Sequence, residues 1–191
     1  LVDEDVLKSF IRQIPKERNL NTQKIMVQSL GNIPTEDSIK TLISLTKKRR
    51  FASKDAAISA LLKAAPSNPE VIKLMEKFLT NRSPELQIWA MDSAVEAKAV
   101  DFSSLVAEQL ESKKWQVRFA AAEALGELRS PECVEALIGQ IQVEERSRIQ
   151  SEIGKALHSI TGENPNRSSK MWAQWWSDNR DTWKMPKGIT A

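Results

Sequence analysis

Val134-Glu135-Ala136-Leu137-Ile138-Gly139-Gln140-Ile141 carries its large apolar residues at Val134, Leu137, Ile138 and Ile141. That spacing, x, x+3, x+4, x+7, is one stripe of an α-helix; a strand would alternate its faces every second residue. The same spacing returns at intervals of about 32 residues. It is found at Leu7/Phe10/Ile11/Ile14, Ile39/Leu42/Ile43/Thr46, Val71/Leu74/Met75/Phe78, Phe102/Leu105/Val106/Gln109 and Trp172/Trp175/Trp176/Asn179. Between consecutive stripes lies a second amphipathic segment, centred on Leu30, Leu61, Val95, Leu125 and Leu157. The repeating unit is therefore a helical hairpin with a leading and a following helix. One such hairpin is too small to bury its own apolar face, so the period predicts a stacked array: an all-α, right-handed α-solenoid of about five hairpins.

Local signals agree with this period. The segment Trp115 to Leu128 places Val117, Ala121, Ala124, Leu125 and Leu128 on one stripe, widened by Phe119, Ala120 and Ala122, as a helix touching several neighbours requires. Asn68-Pro69-Glu70, Ser83-Pro84-Glu85 and Ser130-Pro131-Glu132 each read as N-cap, proline at N1 and an acid in the first turn, and Thr35-Glu36-Asp37 repeats the logic without proline. No segment alternates with period two, so no strand is expected. The last unit differs: the connection Thr161 to Arg167 is longer than elsewhere, Trp172, Trp175 and Trp176 occupy positions filled by aliphatic residues in other following helices, and Trp183 follows a turn later. A terminal repeat has a neighbour on one side only, so this segment is expected to be a tryptophan-rich C-terminal capping helix. Residues 1–183 are expected to form a single solenoid domain and 184–191 a flexible tail. Leu7 to Ile14 matches a following helix without its leading helix, and the array is expected to continue upstream in a longer chain.

The totals narrow the function. Apolar residues make up 41% and charged residues 28% of the 191. No apolar run approaches the roughly 18 residues needed to cross a bilayer. A single cysteine, Cys133, excludes an internal disulfide framework. A lone His158 has no His or Cys cluster around it to complete a metal site, and no phosphate-binding glycine loop, nucleophile elbow or H-E-x-x-H pattern is present. The carboxylate pairs Glu144/Glu145 and Asp178/Asp181 read as solvated charge. No catalysis and no cofactor are expected.

Trp115 through Leu128, followed by Ser130-Pro131-Glu132-Cys133-Val134-Glu135-Ala136-Leu137-Ile138, resembles a HEAT repeat of the bacterial type. The ending Leu157-His158-Ser159-Ile160-Thr161-Gly162, then Trp172-Ala173-Gln174-Trp175-Trp176, is similar to the closing segment of many bacterial HEAT arrays. The resemblance implies a protein-binding scaffold. It departs in one respect: where the family often has an Asp four residues before the Arg of the leading helix, this chain has Lys114 before Arg118, with Asn19, Arg50, Pro84 and Arg146 at the equivalent places. The inter-repeat ladder is therefore expected to be missing, leaving cohesion to apolar packing.

Two surfaces are candidates for a partner. The outward face of the following helices normally lines the concave side of such a solenoid, and rotation from the apolar stripe assigns to it Lys40, Thr41, Ser44, Lys73, Glu76, Lys77, Ser103, Ser104, Ala107, Glu108, Glu135, Ala136, Gly139 and Gln140. Of these, Lys40, Ser44, Lys73, Lys77, Ser104, Ala107, Glu135 and Gly139 are the candidate partner contacts, and a protein or peptide is the expected partner. The second surface is a basic edge. Lys47, Lys48, Arg49, Arg50, Lys113, Lys114, Arg146 and Arg148, with Lys16, Arg18 and Arg82, fall at turns from following to leading helices. Glu36, Asp37, Glu70, Asp101, Glu132 and Glu163 fall at the opposite turns. Bases at helix C-termini and acids at N-termini complement the helix dipole, at about 0.3–1 kcal/mol each, and this explains the pattern without a ligand. The alternative is a rim that tracks a phosphate backbone, as HEAT-like DNA glycosylases hold DNA. A net charge of +3 and few aromatics along the rim weigh against it.

Overall fold

A computed structural model describes residues 3–48, 50–164 and 166–186. Its contacts divide the chain into two compact units, Leu1–Leu74 and Met75–Ala191. Among the described residues there is no strand. The first unit holds α1 (Glu4–Gln13), α2 (Leu20–Gly31), α3 (Glu36–Lys47) and α4 (Lys54–Ala64), and α5 (Pro69–Leu79) spans the boundary. The second holds α6 (Pro84–Glu96), α7 (Ser103–Ala107), α8 (Trp115–Leu128), α9 (Val134–Val143), α10 (Ser147–Thr161) and α11 (Ser169–Asn179). Leading helices are α2, α4, α6, α8 and α10. The architecture is an all-α, HEAT-like solenoid of stacked helix pairs that ends in a tryptophan-rich helix.

In the first unit α4 packs on both α2 and α3 around Val27, Leu30, Leu42, Leu45, Ala57 and Leu61, all buried. A Cβ on Gly31 at the end of α2 would lie 2.8 Å from Ala60 Cβ and 3.0 Å from its backbone, so the two leading helices meet without room for a methyl group. In the second unit α8 lies between α6 and α10, and α9 packs on α10 and α11. Gly126 approaches Ala156 in the same manner, and a Cβ on it would lie 3.1 Å from Ala156 Cα. The core here is aliphatic and alanine-rich, with Ala121, Ala122, Leu125, Val134, Leu137, Ile153 and Leu157 buried.

The following helix of the third hairpin is not a regular α-helix. It runs as a 3-10 turn (Val100–Phe102), the five residues of α7, and a second 3-10 turn (Glu108–Glu111). Ser103 and Ser104 are poor helix formers, and the chain enters after Lys98, which is in the left-handed region at φ 51. Caps also deviate at one place. The Thr35 and Ser83 hydroxyls accept from Ser38 and Leu86 N–H, as expected, whereas Ser130 caps nothing and precedes a 3-10 turn (Pro131–Cys133) before α9.

A set of polar side chains secures the turns between hairpins. Near the start of each leading helix except α4, one residue reaches back to a carbonyl at the end of the preceding helix. Gln23 Nε2 donates to the Ile14 and Glu17 carbonyls at 3.2 and 3.1 Å, Gln87 to Leu79, and Gln150 to Glu144. Arg118 takes the same place in α8, donating to the Ser112 carbonyl at 2.9 Å. In α4 the link is made from the other side, Ser53 Oγ donating to Gln23 Oε1 at 2.8 Å. The bonds from Gln23, Gln87, Arg118 and Gln150 each satisfy a backbone carbonyl at a helix C-terminus, whereas the Ser53 bond joins the starts of α4 and α2.

The expected absence of an ionic link between repeats is corrected at the fourth hairpin. Arg118 forms a two-pronged pair with Glu144, Nε to Oε2 at 2.6 Å and Nη2 to Oε1 at 3.0 Å, joining α8 to the turn before α10. Glu144 was expected to be solvated, yet its side chain is 1% exposed. It also accepts from Arg146 N–H and Gln140 Nε2. The Arg118 guanidinium holds this carboxyl down at about 2, against the opposing effect of burial.

Candidate partner-binding surfaces

Of the fourteen residues that rotation from the stripe assigns to the outward face of the following helices, Thr41, Ser103, Ala107 and Gln140 are not exposed. Lys40 and Ser44 on α3, Lys73 and Lys77 on α5, Ser104 at α7, and Glu135 and Gly139 on α9 are exposed. Ala107 is only half-buried rather than open, and Ser103 is fully buried, because the 3-10 turn before α7 rotates the serines relative to a continuous helix. Gly139 stands in open space: a Cβ there would meet nothing within 4 Å. Lys40 is paired with Glu36 one turn away at 2.5 Å, both groups solvent-exposed, which leaves the pair little net strength.

The basic edge is less uniform than the sequence suggests. Lys48, Arg50 and Lys113 are exposed, and Arg49 lies outside the described residues. Lys47 is paired at 2.6 Å with Glu70, a residue assigned to the opposite, acidic edge, so charge does not segregate cleanly in the first unit. Lys114 donates through Nζ to the Arg82 carbonyl. The remaining two cations rest on aromatic rings. The Arg146 guanidinium lies 5.4 Å above the Trp115 ring, and that of Arg148 lies 4.9 Å above Phe119. Such contacts hold the planar group in place while leaving its edges free to donate. Phe119 was not seen as part of this edge, although leading-helix positions one repeat apart are neighbours in a stack.

Between these groups opens a cavity of about 410 Å³ lined by Ser112, Lys113, Arg118, Gln140, Val143, Glu144 and Arg146, together with Glu111 and Glu145. Its walls carry both signs of charge. A second, of about 210 Å³, lies where Asn166 to Ser169 meet Ile141 and the first turn of α10 at Ser147, Gln150 and Ser151. The long connection before α11 therefore runs back toward the start of α10 before the last helix begins.

Among the described residues no group of three or more His, Cys, Asp or Glu could hold a metal ion. Burial pushes the Cys133 thiol up to about 11, the opposite of a reactive thiolate. His158 is exposed and its Nδ1 lies 2.6 Å from the Glu163 carbonyl, fastening the connection rather than facing a substrate. Among the described residues no helix is long and apolar enough to cross a membrane.

A stack of helix pairs repeated along the chain is an architecture typical of non-catalytic scaffolds. The family described as HEAT repeats matches residues 73–158 and again 102–184, together more than half of the chain. The chain belongs to the HEAT-repeat family. No curated protein matches it. Among solved structures it is similar to the crystal structure of an engineered protein, at 22% identity over 83% of this chain and 80% of that one, with a TM-score of 0.43.

Proposed function

We propose that this protein is a non-catalytic scaffold that binds a protein or peptide segment on the outward face of its following helices. The observation that carries the reading is the open backbone at Gly139, with Glu135 on the same helix and Ser104 on α7 also exposed. Small side chains there let a partner approach the helices closely, and large ones would block it. Lys40 and Ser44 on α3 and Lys73 and Lys77 on α5 offer further exposed contacts. The test is affinity capture from the native host with the wild-type chain and with a Ser104→Arg/Gly139→Arg variant. The variant should keep its helical circular dichroism and lose the partner. Retention of a specific partner by the variant would move the site elsewhere.

A second reading, nucleic acid along the basic edge, is favoured by the aromatic seats under Arg146 and Arg148. It is opposed by the ion pair at Lys47 and by the acids that share the cavity beside Lys113. Fluorescence anisotropy with duplex and single-stranded oligonucleotides distinguishes them. Several phosphate contacts would lower affinity on the order of a hundredfold or more between about 50 and 200 mM salt. We expect weak, sequence-independent binding at low salt only. Tight binding at 200 mM that is abolished by charge reversal at Lys113 and Arg148 would make nucleic acid the partner.

A further inference from the structure

The smaller cavity, of about 210 Å³, lies inside the second unit between the first turn of α10 and the connection that leads into α11. Its lining is of one chemical kind. Apart from Ile141 every residue there is polar and none is acidic, in a chain with 25 acidic residues. Ser147 and Ser151 come from α10, Ser168 and Ser169 from the start of α11, and the one charged group is Arg167. The larger cavity, by contrast, sets three glutamates against its cations.

Several donors here have no acceptor. The Arg167 guanidinium is fixed by the Trp172 ring, 5.7 Å away, and by donation from Nη2 to the Glu163 carboxylate. Its Nη1 makes no hydrogen bond among the described residues and is not fully buried. Arg167 Nε and the neighbouring Trp172 Nε1 are buried donors without an acceptor, a condition that folded chains rarely tolerate. The hydroxyls of Ser147, Ser151 and Ser169 make no hydrogen bond among the described residues, and that of Ser168, which accepts from Met171 N–H at 3.3 Å, keeps its own proton to give. The potential has the same sign as the donors. α10 and α11 both begin at the cavity, neither has an acid in its first turn, and their second residues are the exposed Arg148 and Lys170.

We propose that this cavity is a binding site for a phosphate group. A tetrahedral oxyanion presents acceptors in several directions at once, as hydroxyls on two helices and a guanidinium on the connection between them require. The volume admits such a group together with water, at about 30 Å³ for each water. None of the lining residues belongs to the outward face assigned to a protein partner, so the two readings stand or fall separately.

Inorganic phosphate is the probe, titrated into the full chain at pH 7.5 with ionic strength held constant by chloride. Tryptophan emission reports binding, because Trp172 lies against Arg167. It should change saturably with phosphate and not with chloride. Ser147→Ala/Ser151→Ala alters two exposed positions of α10 and should keep the circular dichroism melting curve while raising Kd at least about tenfold, as loss of two hydrogen bonds to a charged group predicts. Arg167→Gln should raise it further. It also loses the ion pair to Glu163, so the serine variant decides should this one fail to fold. A short phosphoserine peptide and its unphosphorylated form identify the source: binding of the phosphopeptide about tenfold or more tighter than inorganic phosphate, lost in the serine variant, assigns the group to a phosphorylated protein, and equal affinity assigns it to the free ion. A response that does not saturate, that chloride reproduces, or that the serine variant leaves unchanged overturns the proposal.

Discussion

At the residue scale, the chain buries one ionised carboxylate in the link between α8 and the turn before α10. Glu144 is almost wholly buried, and its carboxyl is held at about 2 by Arg118. The folded state therefore holds the anion more firmly than the unfolded chain does. The resulting stabilisation is complete above the ordinary carboxyl range and is lost as pH falls from about 4.5 toward 2, and is on the order of 3 kcal/mol. Acid unfolding monitored by circular dichroism should show this loss in the wild type. Glu144→Gln should be less stable at pH 7, because Arg118 is left without its counter-charge, and should lack the slope through that window. An unchanged slope would assign the acid sensitivity to other groups. The glycines provide a second test, since one substitution has opposite consequences at two sites. Gly139→Ala adds a methyl group to open space in mid-helix and should stabilise by up to about 1 kcal/mol. Gly31→Ala drives the same methyl into the backbone of Ala60 and should destabilise by about 1–3 kcal/mol. Urea denaturation of both variants measures the difference, and equal effects would refute the close approach of α2 and α4.

At the element scale, the last helix departs most from the repeat. Trp172 is completely buried, with Arg167 stacked 5.7 Å from its ring and Trp175 edge-on at 5.7 Å. Trp175, Trp176 and Trp183 are half-buried and cluster chiefly with one another, Trp175 and Trp176 stacked at 6.0 Å. Trp172→Ala should therefore cost about 3–5 kcal/mol, and truncation before Ser168 at least as much, whereas Trp175→Ala should cost clearly less. Thermal unfolding of the three variants checks this, and a truncated chain with an unchanged midpoint would show that α11 contributes nothing to the core. Much of this scale was legible in the sequence. The bounds of α8, Trp115 to Leu128, follow from its alanine-rich stripe, because amphipathic period and flanking turns agree there. The third following helix was not legible: Phe102, Val106 and Leu110 keep their buried places while the backbone between them switches between 3-10 and α, a choice made by packing rather than by period. Nor was the Arg118–Glu144 pair, since its partners are 26 residues apart and Glu144 sits in what reads as a charged turn. The back-reaching side chains left a trace that could have been followed. Gln23, Gln87, Arg118 and Gln150 keep step with the repeat, and an uncharged amide does at three of these places what a guanidinium does at the other.

At the scale of the whole molecule, the repeat pattern extends over both units although the family match begins only at residue 73. The first unit is built from less regular hairpins: α2 offers isoleucine, methionine and serine where α8 offers three alanines, and its turns lack the Ser-Pro-Glu signature. The candidate surfaces were legible as to which residues are exposed. What each exposed residue faces was not, because that depends on neighbours one repeat away, as Arg146 over Trp115 and Lys47 beside Glu70 illustrate. The placement of the tryptophans has an optical consequence. All six, Trp89, Trp115, Trp172, Trp175, Trp176 and Trp183, belong to the second unit, and the chain contains no tyrosine. Emission excited at the red edge of the indole band therefore arises entirely from residues beyond 75, so a fluorescence melting curve is blind to unfolding confined to the first unit, and only a backbone signal such as circular dichroism sees both.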